Sequence, residues 1–169
     1  MGYSHRWKIE EDMTVQDFKH LQGIAAKIVE ASDAPVEFST KTHPLHLFIM
    51  IEGINEGAHE TFYLTPKAVE FDCCKTARKP YDEIVVGILD YADALGLLKF
   101  TSDGNPDDLA AGRKLAANAA FDEGAEAKQM LLGFERVRAA LAKMYFKGEG
   151  VAQDKKKAAR PHRRAEAAR

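Results

Sequence analysis

The spacing of apolar residues changes twice along this chain, and this change limits the folds open to it. From residue 14 to 31 apolar side chains recur at helical spacing, as in Phe18, Leu21, Ala25 and Ile28. From 36 to 74 they alternate with polar ones, as in a strand. After Pro80 the helical spacing returns, in Ile84, Val85, Ile88, Leu89, Ala92 and Leu95. Helix, strands and helix in this order predict an α+β fold.

Short connections between the apolar runs favour a three- to four-stranded antiparallel sheet. The runs lie around Val36–Phe38, Leu45–Ile51, Phe62–Leu64 and Val69–Cys73. Phe48 and Met50 make the second strand apolar on both faces, which is typical of a central strand. We expect the core to contain Ile49, Ile51, Phe62, Phe71, Ile88 and Leu89.

Capping residues indicate where the helices begin and end. Thr14, with Asp17 three positions on, opens the first helix, and Gly96 fits the end of the second. Asn105 and Pro106 open a third helix, which is rich in alanine and is expected to pack shallowly. We therefore expect an α+β domain over residues 1–100 and a helical extension over 101–169.

The net charge of −2 hides an uneven distribution. Residues 155–169 hold seven Lys and Arg against one Glu, which leaves −8 on the rest of the chain. An acidic body argues against nucleic-acid binding by charge alone. Because Cys73 and Cys74 are adjacent, they predict reduced thiols and a cytoplasmic protein. No secretory signal and no apolar run long enough for a membrane helix is apparent.

The segment 141–158 carries an ordered set of aromatic, glycine and charged residues. Its pattern is Leu141, Met144, Tyr145, Gly148, Gly150, Val151, Asp154, Lys157 and Ala158. This pattern resembles a single Sel-one-like repeat, a relative of the tetratricopeptide repeat, extending over about residues 124–159. The resemblance implies a helix-turn-helix that contacts a protein. On this reading Tyr145, Phe146 and Lys147 bind the partner.

Two features depart from the repeat pattern. Pro161 stands where such repeats carry an aromatic residue in the second helix. A single repeat also cannot bury its own faces, so it has to pack on the body or on another chain. The body, with "ETFYL" and "CKTARKPYD", resembles uncharacterised small proteins of bacteria and their phages. Together these features favour a non-enzymatic protein-interaction module, phage- or mobile-element-encoded and acting on a host protein.

Enzymatic chemistry finds little support in the sequence. No nucleophile–base pair and no glycine-rich phosphate loop is present, and we expect no enzyme and no cofactor. The residues of metal-ligand type are His43, His46, His59, Asp72, Cys73 and Cys74. His43 and His46 should lie on opposite faces of a strand, and the two cysteines should diverge. We therefore expect no metal site, and buried cysteines without catalytic thiol chemistry.

A basic cluster, Lys75, Arg78 and Lys79, precedes the second helix. It has two interpretations: an anion site at a helix start, or a solvated loop paired with Asp82 and Glu83. The first leads to an alternative function, because helix, three strands and helix is the order of the double-stranded-RNA-binding domain. In that alternative the protein binds structured RNA or DNA through Lys75 and Lys79.

Overall fold

The computed structural model describes residues 3–41, 43 and 46–127, and the described chain has an α+β fold. Its helices are α1 (Val15–Ala31), α2 (Asp82–Ala94) and α3 (Ala110–Ala127). Its strands are β1 (His5–Ile9), β2 (Val36–Lys41), β3 (Phe48–Gly53), β4 (Phe62–Leu64), β5 (Val69–Cys74) and β6 (Lys99–Ser102). The predicted fold class is thus confirmed.

The strands form two antiparallel sheets of three strands each. The first sheet has the order β5-β1-β6, and the second has the order β2-β3-β4. The second sheet is the predicted meander, with β3 in its centre. However, β5 does not continue that meander, because it pairs with β1, a strand that we did not predict.

The new strand β1 has the alternation of a half-buried strand. His5, Trp7 and Ile9 are buried, while Arg6 and Lys8 between them are partly exposed. The alternation of Trp7 and Ile9 with charged residues was therefore the sequence signal for β1. Strand β6 is only four residues long, and Phe100 pairs with Trp7 there.

The core lies between the helices and the inner faces of the sheets. Five of the six predicted core residues are buried, namely Ile49, Ile51, Phe62, Ile88 and Leu89. The prediction that the sixth, Phe71, is buried is wrong, because its side chain is 62% exposed.

An irregularity in β5 explains the exposure of Phe71. Trp7 pairs with Asp72 and Ile9 pairs with Val69, so Lys8 alone faces the two residues Glu70 and Phe71. Such a β-bulge reverses the alternation of faces on its strand. Val69 therefore faces inward with the buried Cys74, and Phe71 turns to solvent.

Helix α3 packs against the same core, chiefly on α2. Its small residues Ala116, Ala119 and Ala120 are buried. At Gly112 an added Cβ would lie 2.6 Å from Val86 and from the Glu83 carbonyl oxygen, so the two helices approach closely. Because β6 spans residue 100, the described part of the predicted extension is continuous with the body. That the residues after 127 belong to a separate helical extension stays a prediction.

The predicted start of α1 and the predicted end of α2 are present, whereas the third helix begins at Ala110 and not at Pro106, because residues 106–109 form turns. The Thr14 hydroxyl accepts from the Asp17 amide at 3.0 Å, and Asn105 Oδ1 accepts from the amides of Asp107 and Asp108. Gly96 has a φ of 74°, which is the left-handed conformation of a helix terminus. None of the described helices is both long and apolar enough to span a membrane.

Candidate functional site

The predicted anion cluster lies in the turn between β5 and α2, and each of its cations has a partner within the chain. Lys75 Nζ lies 3.7 Å from a Glu60 carboxylate oxygen. Arg78 forms an ion pair with Asp108 at 3.2 Å. Lys79 Nζ donates to the Glu56 carbonyl oxygen at 2.6 Å. These partners differ from the expected Asp82 and Glu83.

The turn itself has an unusual backbone. Ala77 and Arg78 have φ values of 51° and 56°, a left-handed conformation that costs about 1–2 kcal/mol for each such residue. The Arg78 guanidinium lies over the Tyr3 ring, 4.2 Å from its centroid. This cation–π contact and the Asp108 ion pair hold the turn in place. An anion that binds here has to compete with Asp108 for Arg78.

Beneath the turn, Asp82 is the centre of a buried polar cluster. His5 Nε2 lies 2.6 Å from Asp82 Oδ1, and the Thr76 hydroxyl donates to the same oxygen. The Tyr3 hydroxyl donates to Oδ2 at 3.3 Å. Asp82 stands in the first turn of α2, where the helix dipole favours a negative charge.

The Tyr3 hydroxyl of this cluster stays protonated. Burial, together with the charge of Asp82, raises the pKa of Tyr3 to about 12. The phenol is therefore neutral at physiological pH and donates a hydrogen bond. The His5 ring is fully buried between the rings of Tyr3 and Phe100. The cluster joins β1, the turn and α2, and its histidine is closed to a substrate.

The two cysteines diverge, as the sequence predicts. Cys74 is buried, and its thiol lies 3.5 Å from the Glu60 carbonyl oxygen. Burial raises the pKa of the Cys74 thiol to about 12, so it stays protonated. Cys73 lies opposite Arg6 in the register of β5 with β1 and is only partly buried.

The prediction that His43 and His46 lie on opposite faces of a strand is wrong. His43 and His46 lie in a turn between β2 and β3, where the His46 amide donates to the His43 carbonyl oxygen. Their rings stack with centroids 6.1 Å apart, so they share a side. Even so, the described residues contain no group of three or more His, Cys, Asp or Glu side chains arranged to hold a metal ion.

The outer face of the second sheet carries a group of aromatic and basic side chains that sequence reasoning did not predict. Phe48 on β3 and Tyr63 on β4 place their rings 5.3 Å apart, and Tyr63 is 48% exposed. A surface cavity of about 340 Å³ lies beside them. We call this surface the aromatic–basic face, and its charged and aromatic members are Lys41, His46, Phe48, Tyr63 and Lys67.

The sequence held a partial signal for this face. Phe48 and Met50 on the second side of β3 indicated only a central strand. Both are partly exposed, whereas Ile49 and Ile51 on the other side of β3 are buried. The register adds Tyr63, which pairs with Met50, and Lys41, which pairs with Phe48.

Comparison of the chain with protein-family models, with curated proteins and with solved structures finds no match. The resemblance of the segment 124–159 to a Sel-one-like repeat therefore stays a prediction. Tyr145, Phe146 and Lys147, the predicted partner-binding residues, lie outside the described residues.

Proposed function

We propose that this protein is a non-enzymatic binding module of the cytoplasm that contacts a partner protein through the end of α3 and the repeat that follows. The observation that carries the proposal is Phe121. It lies on α3 and is 53% exposed, whereas the neighbouring Ala119 and Ala120 are buried. An exposed aromatic side chain on an anchored helix is the kind of residue on which protein interfaces depend.

The position of α3 supports the same proposal. Its first turns pack on α2, and its last four residues, 124–127, are the first residues of the predicted repeat. A single repeat needs the support of another body or chain, and we propose that this junction with α3 supplies it. Tyr145, Phe146 and Lys147 are then the remaining partner contacts, and the phage-encoded origin with a host target belongs to the same proposal.

The test is site-specific photocrosslinking of the full chain in a nuclease-treated bacterial lysate. One chain carries p-benzoylphenylalanine in place of Phe121, and the matched control carries it in place of Phe71, which is also well exposed. We expect a discrete protein adduct at position 121 and none at 71. With that partner purified, Phe121→Gln should weaken binding about tenfold or more.

Two outcomes would overturn the proposal. One is the absence of any adduct specific to position 121. The other is an adduct that forms only when nuclease is omitted, which would favour the alternative function.

That alternative, binding of structured RNA or DNA, has one observation in its favour. The order α1, β2, β3, β4 and α2 matches the order of the double-stranded-RNA-binding domain, although β5 intervenes. Against it, Lys75 and Lys79 are engaged with Glu60 and with the Glu56 carbonyl oxygen.

A further inference from the structure

We propose that the aromatic–basic face of the second sheet binds single-stranded nucleic acid, a function separate from the protein contact at α3. The first reason is the shape of the surface. Tyr63 and Phe48 lie on adjacent strands with their ring planes inclined by 33°, and Tyr63 is half exposed. Exposed aromatic rings of this kind are platforms on which unpaired bases stack.

The second reason is charge. The charged side chains that line the cavity are Lys41 and Lys67, and His46 adds an imidazole. No carboxylate is among the described lining residues. Lys41 Nζ lies 5.9 Å from the centroid of the Phe48 ring, so cation and ring already adjoin. Aromatic rings bordered by cations complement a ligand that alternates flat bases with phosphates.

Charge is unevenly distributed along this side of the sheet. At the opposite end of the same face Glu37 pairs with Glu52, which places two carboxylates opposite each other. Phosphates are disfavoured there and favoured at the end that carries Lys41 and Lys67. One bound strand would therefore have its phosphates near these lysines and a base on Tyr63.

A single strand fits this surface better than a duplex does. The bases of a duplex are stacked on one another and cannot reach a ring on a sheet surface, whereas unpaired bases can. The cavity of about 340 Å³ is at the small end of ligand sites, which suits one nucleotide unit of a longer strand.

The experiment measures binding of a fluorescent eight-nucleotide oligo(dT) to the full chain by anisotropy at physiological salt. We expect a dissociation constant between about 1 and 100 μM, the range of sequence-independent binding. Tyr63→Ser should weaken binding about fivefold or more, the lower bound for the loss of one stacked base. Phe71→Ser, at an exposed aromatic residue on the other sheet, is the matched control and should have no effect.

Substitutions of charged residues separate this site from general attraction to basic segments. Lys67 Nζ forms an ion pair with Asp12 at 2.8 Å, and Asp12 also accepts from the Ala68 amide. Asp12→Asn keeps that amide acceptor and releases Lys67, so it should strengthen oligo(dT) binding. Lys67→Gln should weaken it and reduce the slope of log K against log salt by about 0.7.

Two further probes distinguish the sources of the same chemistry. A blunt duplex of equal length should bind more weakly than oligo(dT), and free thymidine monophosphate should compete only at millimolar concentration. Tight mononucleotide binding would replace a strand site by a nucleotide site and overturn the proposal.

Other results would contradict it equally. They are no oligo(dT) binding at 100 μM protein, or binding that Tyr63→Ser and Lys67→Gln leave unchanged, which would assign it to the basic residues 155–169. Circular dichroism and thermal melting show whether each variant is folded. Phe121→Gln should leave oligo(dT) binding intact, so failure here is distinct from failure of the protein contact.

Discussion

A single carboxylate, that of Asp82 at the start of α2, contacts three other side chains. It accepts from Thr76 and Tyr3 and lies 2.6 Å from His5 Nε2. Asp82→Ala leaves His5 and Thr76 buried without this partner, and each such group costs about 1–3 kcal/mol. We expect the free energy of unfolding to fall by about 3 kcal/mol or more in urea titrations. Asp33→Ala, at an exposed residue, should change it by less than about 0.5 kcal/mol. Equal losses in the two variants would contradict a structural role for the cluster.

The two cysteines should differ in reactivity. Cys74 is buried with a pKa raised to about 12, whereas Cys73 is partly exposed. At pH 8 iodoacetamide should therefore label the Cys74→Ala chain, which retains Cys73, and should leave the Cys73→Ala chain unlabelled until urea unfolds it. Intact-mass spectrometry measures both. Rapid labelling of folded Cys73→Ala would mean that the Cys74 thiol is accessible.

The raised pKa of Cys74 also predicts a pH dependence of stability. The thiol ionises more readily in the unfolded chain, where its pKa is about 8.5. Its contribution to folding is therefore fully present below that pH and is lost as the pH rises towards about 12. The Cys74→Ala chain should lose less of its free energy of unfolding over this range, which urea titrations at pH 8 and pH 10.5 can measure.

At the scale of the elements, two helical glycines make opposite predictions. Gly23 on α1 has open space around it, so Gly23→Ala should stabilise the protein by about 0.5–1 kcal/mol. At Gly112 on α3 a Cβ would lie 2.6 Å from the Glu83 carbonyl oxygen of α2. Gly112→Ala should therefore destabilise by about 1–3 kcal/mol, despite the better helix propensity of alanine. Thermal melting of both variants tests the contact between α2 and α3, and an equal gain in both would refute it.

The β-bulge in β5 predicts a matched pair of phenylalanine substitutions. Phe62 is fully buried, so Phe62→Ala should cost about 3–5 kcal/mol. Phe71 lies on the outer side of the bulge, so Phe71→Ala should change the free energy of unfolding by less than about 0.5 kcal/mol. A large loss of the free energy of unfolding in Phe71→Ala, measured by urea titration, would contradict the bulge. It would favour the regular strand that the alternation of residues predicts.

Some of these elements could be predicted from the sequence and others could not. Helices α1 and α2 were predicted because their apolar stripes and their ends, at Thr14 and Gly96, agree with one another. The bulge was not predicted, since period-two alternation assumes that every residue on one strand faces one residue on its neighbour. Strand β1 was missed although Trp7 and Ile9 alternate with charged residues, because its partners β5 and β6 are distant in sequence.

At the scale of the whole molecule, the surfaces depend on contacts that local pattern does not contain. His5 and Asp82 are 77 positions apart and meet only because β1 enters the sheet beside β5. The aromatic–basic face needs the registers of β2 with β3 and of β3 with β4. The cluster Lys75, Arg78 and Lys79 was visible in the sequence, whereas its partners Glu60 and Asp108 were not.

Those partners, together with the charge of the molecule, decide the last prediction. Apart from residues 155–169 the chain carries −8, and Lys75 and Lys79 are engaged with Glu60 and with the Glu56 carbonyl oxygen. We expect no binding tighter than about 10 μM to a generic RNA or DNA duplex of about 16 base pairs at physiological salt, a length that spans a double-stranded-RNA-binding surface. Lys75→Glu and Lys79→Glu should then change duplex affinity little in anisotropy titrations. Submicromolar duplex binding that both charge reversals abolish would make the turn before α2 a phosphate site and would place the function in the α+β body.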